Sequence, residues 1–169
     1  MTERALIRRP IVQPTEILTQ LQTGQLLVVN GDRGNAIIIC HRHHAEIAGP
    51  GAAVGGSFVD IDCRRVIPIG KVSLVYPESY SQRQKAWLIR QRWNLFTQHI
   101  MKNHVPLDRA NHLLMMLYKY FDRQLIEQLP DEIIAQLIGV LPKTIRIMRQ
   151  SETSQQQQAL QNSELVVAI

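Results

Sequence analysis

Pro130-Asp131-Glu132-Ile133-Ile134-Ala135-Gln136-Leu137-Ile138-Gly139-Val140-Leu141-Pro142-Lys143-Thr144-Ile145-Arg146 reads as a helix, a tight turn and a second helix. Asp131, just after Pro130, suits the cap of a helix start. Ile133, Ile134, Leu137 and Ile138 form an apolar stripe at helical spacing, and Ala135 is small enough for another helix to cross closely. Gly139 can take the left-handed conformation that ends a helix. Val140 then turns inward as a plug, and Pro142 suits the first position of the next helix. At ~100° per residue, Leu141, Ile145 and Met148 share one side of that second helix. Lys143, Arg146 and Gln150 share another, flanked by Arg149.

Two readings fit this stretch: a helical hairpin with a solvated basic face, or a pair of helices that offers the second to the DNA major groove. The charge distribution favours the second. Residues 80–150 hold eleven Lys/Arg against five Asp/Glu, or +6; residues 1–79 carry +1 and residues 151–169 carry −2, which gives the chain its +5. The basic excess lies where the helix pair lies, as phosphate contacts need.

Arg109-Ala110-Asn111-His112-Leu113-Leu114 and Ile134 through Ile145 together resemble the cyclic-AMP receptor protein and fumarate-nitrate reduction regulator family of bacterial transcription factors. The first run is similar to the family's Arg-(Ile/Ala)-x-x-Leu-Leu, which opens its DNA-binding domain. The second is similar to its Ile-Ala-x-Leu-Ile-Gly-Val-x-x-x-Thr-Ile helix-turn-helix. Thr23-Gly24-Gln25-Leu26 and Gly49-Pro50-Gly51-Ala52-Ala53-Val54-Gly55-Gly56 look like weakened versions of motifs in the family's β-roll sensor domain. Asp62-Cys63-Arg64-Arg65-Val66 looks like the segment that carries its phosphate-pairing Arg. The resemblance spans most of residues 15–150.

An α+β fold is thus expected: a short, cupin-like β-roll sensor domain over residues 15–79, a long dimerisation helix over 80–105, and a C-terminal (winged) helix-turn-helix domain over 106–150. A loose arm, 1–14, precedes these. A polar, Gln-rich tail, 151–169, follows, in which Glu164 to Ile169 could form one residual wing strand. Gln25 to Val29, Ala36 to Cys40, Val54 to Val59 and Val66 to Tyr76 are the apolar runs expected as strands. Asn30-Gly31-Asp32-Arg33-Gly34-Asn35 marks a hairpin turn between the first two. Ala86, Ile89, Trp93, Phe96 and Ile100 alternate spacings of three and four, a seam of period 3.5 that suits helix-to-helix pairing in a homodimer or packing on the chain's own β domain. Trp87, Trp93, Tyr118 and Tyr120 fall at helical spacing and read as packing residues. Val105-Pro106-Leu107 breaks the helix as a hinge would.

The resemblance implies double-stranded DNA and a second copy of the chain as partners, and RNA polymerase as a further one. The expected DNA-facing residues are Lys143, Thr144, Arg146, Arg149 and Gln150, with Arg109 and Lys119 on the backbone. Where many family members carry a guanine-reading Arg, this chain has Ile147, so Arg146 takes over base reading, specificity moves to A·T-rich sites, or DNA binding is lost and an interaction protein with the same fold remains. Arg65 stands alone as a ligand-binding candidate. The family's Glu is replaced by Gly56, and Val66 follows Arg65. One Arg cannot define a nucleotide site, so no cyclic-nucleotide response is expected.

Other chemistry is thinly marked. Cys40-His41-Arg42-His43-His44-Ala45-Glu46 offers metal-ligand types. His41 and His43 would share one strand face with Glu46 close by, as in a metal cupin; the alternative is a hairpin end with solvated histidines. Two cysteines supply neither a disulfide scaffold nor an iron–sulfur cluster. No phosphate loop, Ser-His-Asp set or carboxylate pair stands out, so neither an enzyme nor a cofactor is expected. No run approaches the ~20 apolar residues of a membrane span and no signal peptide is evident; a cytoplasmic protein is expected.

Overall fold

The computed structural model describes the backbone of residues 9–167 and the side chains of residues 9–160. The chain is α+β. Its strands are β1 (Leu26–Val29), β2 (Ala36–Cys40), β3 (Ala45–Ala48), β4 (Ala53–Gly55), β5 (Arg65–Ile69) and β6 (Leu74–Val75). Its helices are α1 (Pro14–Gln22), α2 (Tyr80–Met101), α3 (Pro106–Tyr120), α4 (Arg123–Glu127), α5 (Asp131–Ile138) and α6 (Pro142–Val167). The strands make two antiparallel sheets, ordered β4-β1-β6 and β3-β2-β5.

β2 is the wall shared by two cores. Its Ala-Ile-Ile-Ile-Cys run has no polar face, and every residue of it is buried. Side chains alternate across a strand. Ile37 and Ile39 therefore meet Leu27, Val29, Val54 and Leu74 of the other sheet, together with Ile17 and Leu21 of α1. Ala36, Ile38 and Cys40 face the other way, into a core with Leu113, Leu114 and Leu117 of α3, Ile134 and Leu137 of α5, and Ile145 of α6. The partners of β2 follow suit: Ile38 pairs with Ile47 and Ile67, and Ala36 with Ile69. The helices therefore pack on the sheet directly.

Five expectations need correction. Residues 1–8 lie outside the described residues, but the rest of the expected arm is anchored: Ile11 is buried and exchanges two backbone hydrogen bonds with Leu74. Residues 14–22 form a helix, for which Pro14 at the first turn, Glu16 near the positive helix end and the Ile17/Leu21 spacing are sufficient cause. The Asn30–Asn35 turn joins no hairpin, because β1 and β2 belong to different sheets. Asn30 instead ties the crossing to Ser73, accepting from its N–H at 2.9 Å, and Asn35 accepts from Lys71 N–H at 2.8 Å. The 151–167 tail continues α6, so Glu164 to Val167 are helical and form no wing strand; residues 168–169 lie outside the described residues. Gln-rich sequence has good intrinsic helix propensity, and α6 enters it already nucleated.

The seam on α2 is the fifth. Ser79 starts this helix by accepting from Gln82 N–H, while Gln82 Oε1 accepts from Glu78 N–H, a variant of the capping box. The buried stripe is Ala86, Arg90, Thr97 and Ile100, with Trp93 half-buried between them. Of the expected dimer seam, Ala86 and Ile100 are buried within the single chain, and Ile89 and Trp93 are half-buried. Phe96 alone stays open, at 44 % exposure. The glycines of the β domain explain this. Trp93 lies on Gly49 so closely that a Cβ there would sit 2.2 Å from the indole, Ile89 lies against Gly51, and Trp87 against Gly56.

Candidate functional site

Two regions carry polar chemistry. The first is the junction of α5 and α6. Pro130, not Asp131, occupies the cap position of α5. The helix ends at Gly139, whose φ of 63° and ψ of 46° are left-handed, and Val140 N–H donates back to Ala135 O at 3.1 Å. Val140 packs on the helical core and Ile145 is fully buried beneath α6. Leu141, expected to share one side of this helix with Ile145 and Met148, precedes the first turn and is exposed, whereas Ile145 is buried.

Arg149 departs from the DNA-facing set. Its guanidinium donates to Leu129 O at 3.0 and 3.1 Å, to Ile126 O at 3.0 Å and to Asp131 Oδ1 at 2.8 Å. It thereby ties α6 to the Leu129 carbonyl beyond α4 and adds a second donor to Ile126 O, which already accepts from Leu129 N–H at 3.1 Å. Arg109 is also turned inward: it donates to Ile138 O, at the end of α5, at 3.3 Å. Both arginines hold helix ends. Lys143, Arg146 and Gln150 remain exposed on α6, Ile147 lies among them, and Thr144 is half-buried. Arg146 is 61 % exposed and rests 3.5 Å from Asp131. Lys119 is exposed beside the Tyr120 ring in the last turn of α3. Arg65 is exposed at the start of β5.

The second region, which sequence reasoning missed in large part, is a buried charge network between α2 and the β domain. Arg90 is 1 % exposed and Asp60 is 0 % exposed. Arg90 donates to both Asp60 oxygens at 3.1 and 3.3 Å, to Ala53 O at 3.1 Å, and to Glu46 Oε2. Asp60 also accepts from Gly55 N–H at 2.7 Å. His41, buried at the end of β2, holds Asp62 Oδ1 with Nδ1 at 2.7 Å and places Nε2 3.5 Å from Asp60 Oδ1. Its hydrogen bond to Asp60, reinforced by Asp62, outweighs burial and raises its pKa. Burial pushes the Asp60 carboxyl up, but the His41 hydrogen bond and the Arg90 charge outweigh it and hold the pKa below the ordinary value.

The metal-ligand candidates sort differently from expectation. Residues 41–44 form a turn closed by His41 N–H to His44 O at 2.9 Å, so strand alternation does not reach His43. His43 is exposed, and His44 stacks on His41 at 4.5 Å between ring centroids. Ligand atoms of His41, His44 and Glu46 all lie within 4.8 Å of one another. Cys40 and Cys63 are buried free thiols, and burial pushes Cys63 up to about 11. Among the described residues no helix is long and apolar enough to cross a membrane. No family model, no curated protein and no solved structure matches the chain.

Proposed function

We propose that the chain is a DNA-binding transcriptional regulator, acting as a homodimer on a near-palindromic site and not responding to cyclic nucleotides. One observation carries the reading: the left-handed Gly139 turn leads into a helix that keeps Lys143, Arg146 and Gln150 exposed along one face. Residues near the start of such a helix reach base edges, and a guanidinium can hold guanine O6 and N7 together. Arg146, loosely held by Asp131, is free to be that reader. Lys143 and Lys119 supply phosphate contacts. In this reading α5 and α6 are a helix-turn-helix, and the two sheets are an abbreviated, cupin-like β-roll, as in the cyclic-AMP receptor protein family. The dimer forms along the outer face of α2, where Leu88, Leu95 and Phe96 are exposed on one side.

Selection of the purified protein against random duplex DNA at physiological salt tests this. An enriched near-palindrome with half-sites one turn apart, ~34 Å, is the expected result. Lys119 and Lys143 of two copies give four phosphate contacts, so affinity should fall with a log–log salt slope of about −4. Absence of enrichment, with flat salt dependence, would overturn the reading. A second reading, an interaction protein without DNA contacts, draws on the exposure of Leu141 and Ile147 beside the basic residues of α6. It expects that absence of enrichment, together with an intact folded protein.

A further inference from the structure

We propose that His41, His44 and Glu46 form a binding site for a borderline divalent transition-metal ion of the zinc class, with one position left for water. The inference is independent of DNA binding. Two imidazoles and one carboxylate are a donor set that suits zinc and its neighbours better than calcium or magnesium, which prefer oxygen. The geometry is near to what such an ion needs. Bonds of about 2.0–2.2 Å in a tetrahedron place ligand atoms roughly 3.4 Å apart. His44 Nε2 lies 3.6 Å from Glu46 Oε1, and all three ligand atoms fall within 4.8 Å. His44 is exposed, at a turn, and to converge on the ion its ring would swing out of its stack on His41, 4.5 Å between ring centroids.

The surroundings prepare the ligands. His41 is 6 % exposed and its Nδ1 is held by Asp62 at 2.7 Å. The Asp62 carboxylate orients the ring and raises its basicity, and Nε2, which faces Asp60 Oδ1 at 3.5 Å, is the nitrogen that would give up its proton to take the ion. Glu46 has its Oε2 held by Arg90, which leaves Oε1 turned toward His44. Charge also fits. With His41 and His44 neutral, as metal ligation requires, Glu46, Asp60 and Asp62 carry three negative charges and Arg90 one positive, a surplus of two that a divalent cation would neutralise. Loading would tie the β2–β3 turn to α2 through Glu46 and Arg90.

The test uses the untagged full chain, stripped of metal, titrated with Zn²⁺ by calorimetry and with Co²⁺ by visible absorption. One ion per chain, with the intense d–d bands of a four-coordinate cobalt site, is expected. His44→Ala removes an exposed ligand without touching the core and should weaken binding more than ~10-fold, and Asp62→Asn by ~10- to 100-fold. His43→Ala, a neighbour outside the cluster, should leave affinity within about twofold. Far-ultraviolet circular dichroism confirms that each variant is folded. Failure of the parent chain to bind saturably would overturn the proposal. So would parental affinity in both His44→Ala and Glu46→Gln, since the ion would then lie elsewhere.

Discussion

Replacing Arg149 with Ala removes the group that joins α4, α5 and α6. The guanidinium is 20 % exposed on its side chain, the Asp131 carboxylate 17 %, so solvent screens the pair only in part. Four hydrogen bonds are lost, three to backbone carbonyls and one to the carboxylate. A hydrogen bond to a charged group is worth about 1.5–3 kcal/mol net, but bonds sharing one guanidinium do not add, and water reaches part of the site. The expected loss is therefore about 2–3 kcal/mol. With a urea slope of about 2 kcal/mol per molar, the unfolding midpoint should drop by ~1 M. Arg146→Ala is the matched control. Its ion pair with the same Asp131 is exposed and long, and such pairs contribute about 0–1 kcal/mol. Arg146→Ala should instead cost about 1–3 kcal/mol of binding to a selected site. If Arg149→Ala unfolds at the parental midpoint and loses duplex affinity, the clamp is wrong and Arg149 belongs to the DNA-facing row.

Three further outcomes follow from the packing. Gly49→Ala drives a methyl group into the Trp93 indole, 2.2 Å away, and should cost about 1–3 kcal/mol or more, with a shift in tryptophan emission as the ring is displaced; unchanged stability and emission would show that Trp93 does not rest there. Arg90→Met leaves Asp60 as a buried carboxylate without its cation and should cost about 3–5 kcal/mol in a denaturant titration, whereas a loss under 1 kcal/mol would argue that water reaches Asp60. Cys63, with its thiol pushed up to about 11, presents little thiolate at neutral pH, so its alkylation in the folded protein should rise about tenfold per pH unit from pH 7 to 10. A rate levelling off near pH 8.5 would refute the burial of this thiol.

Legibility in the sequence depended on whether apolar spacing alone determined the structure. β2 was expected at its observed limits because five apolar residues in a row have one solution, burial on both faces. The long helix was expected over residues 80–105 and runs Tyr80–Met101. The Gly139 turn was legible because a left-handed residue favours glycine. The rest was hidden where polar residues occupy apolar positions. Arg90 and Thr97 stand where the packed stripe of α2 needs them, so Ile89 and Phe96, next in the chain, offered a seam with the same alternation of three and four. β3 was missed because Ala-Glu-Ile-Ala is short and carries the ligand of Arg90 in its middle. The inward turn of Arg109 and Arg149 depends on helix ends brought near from elsewhere in the chain. His44 joins His41 through a turn rather than along a strand, which spacing alone does not reveal.

Because β2 is covered on both sides, the β half and the helical half have no plane of easy separation. Swinging the helices away about Val105-Pro106 would bare Ala36, Ile38, Cys40, Ile47 and Ile69 together with the helical side chains that cover them. Each 100 Å² of apolar surface so uncovered costs about 2.5 kcal/mol. A message passing from the β domain to α6 would therefore travel as a change of shape or tension in a common wall rather than as the opening of a hinge, and the chain should melt in one cooperative step.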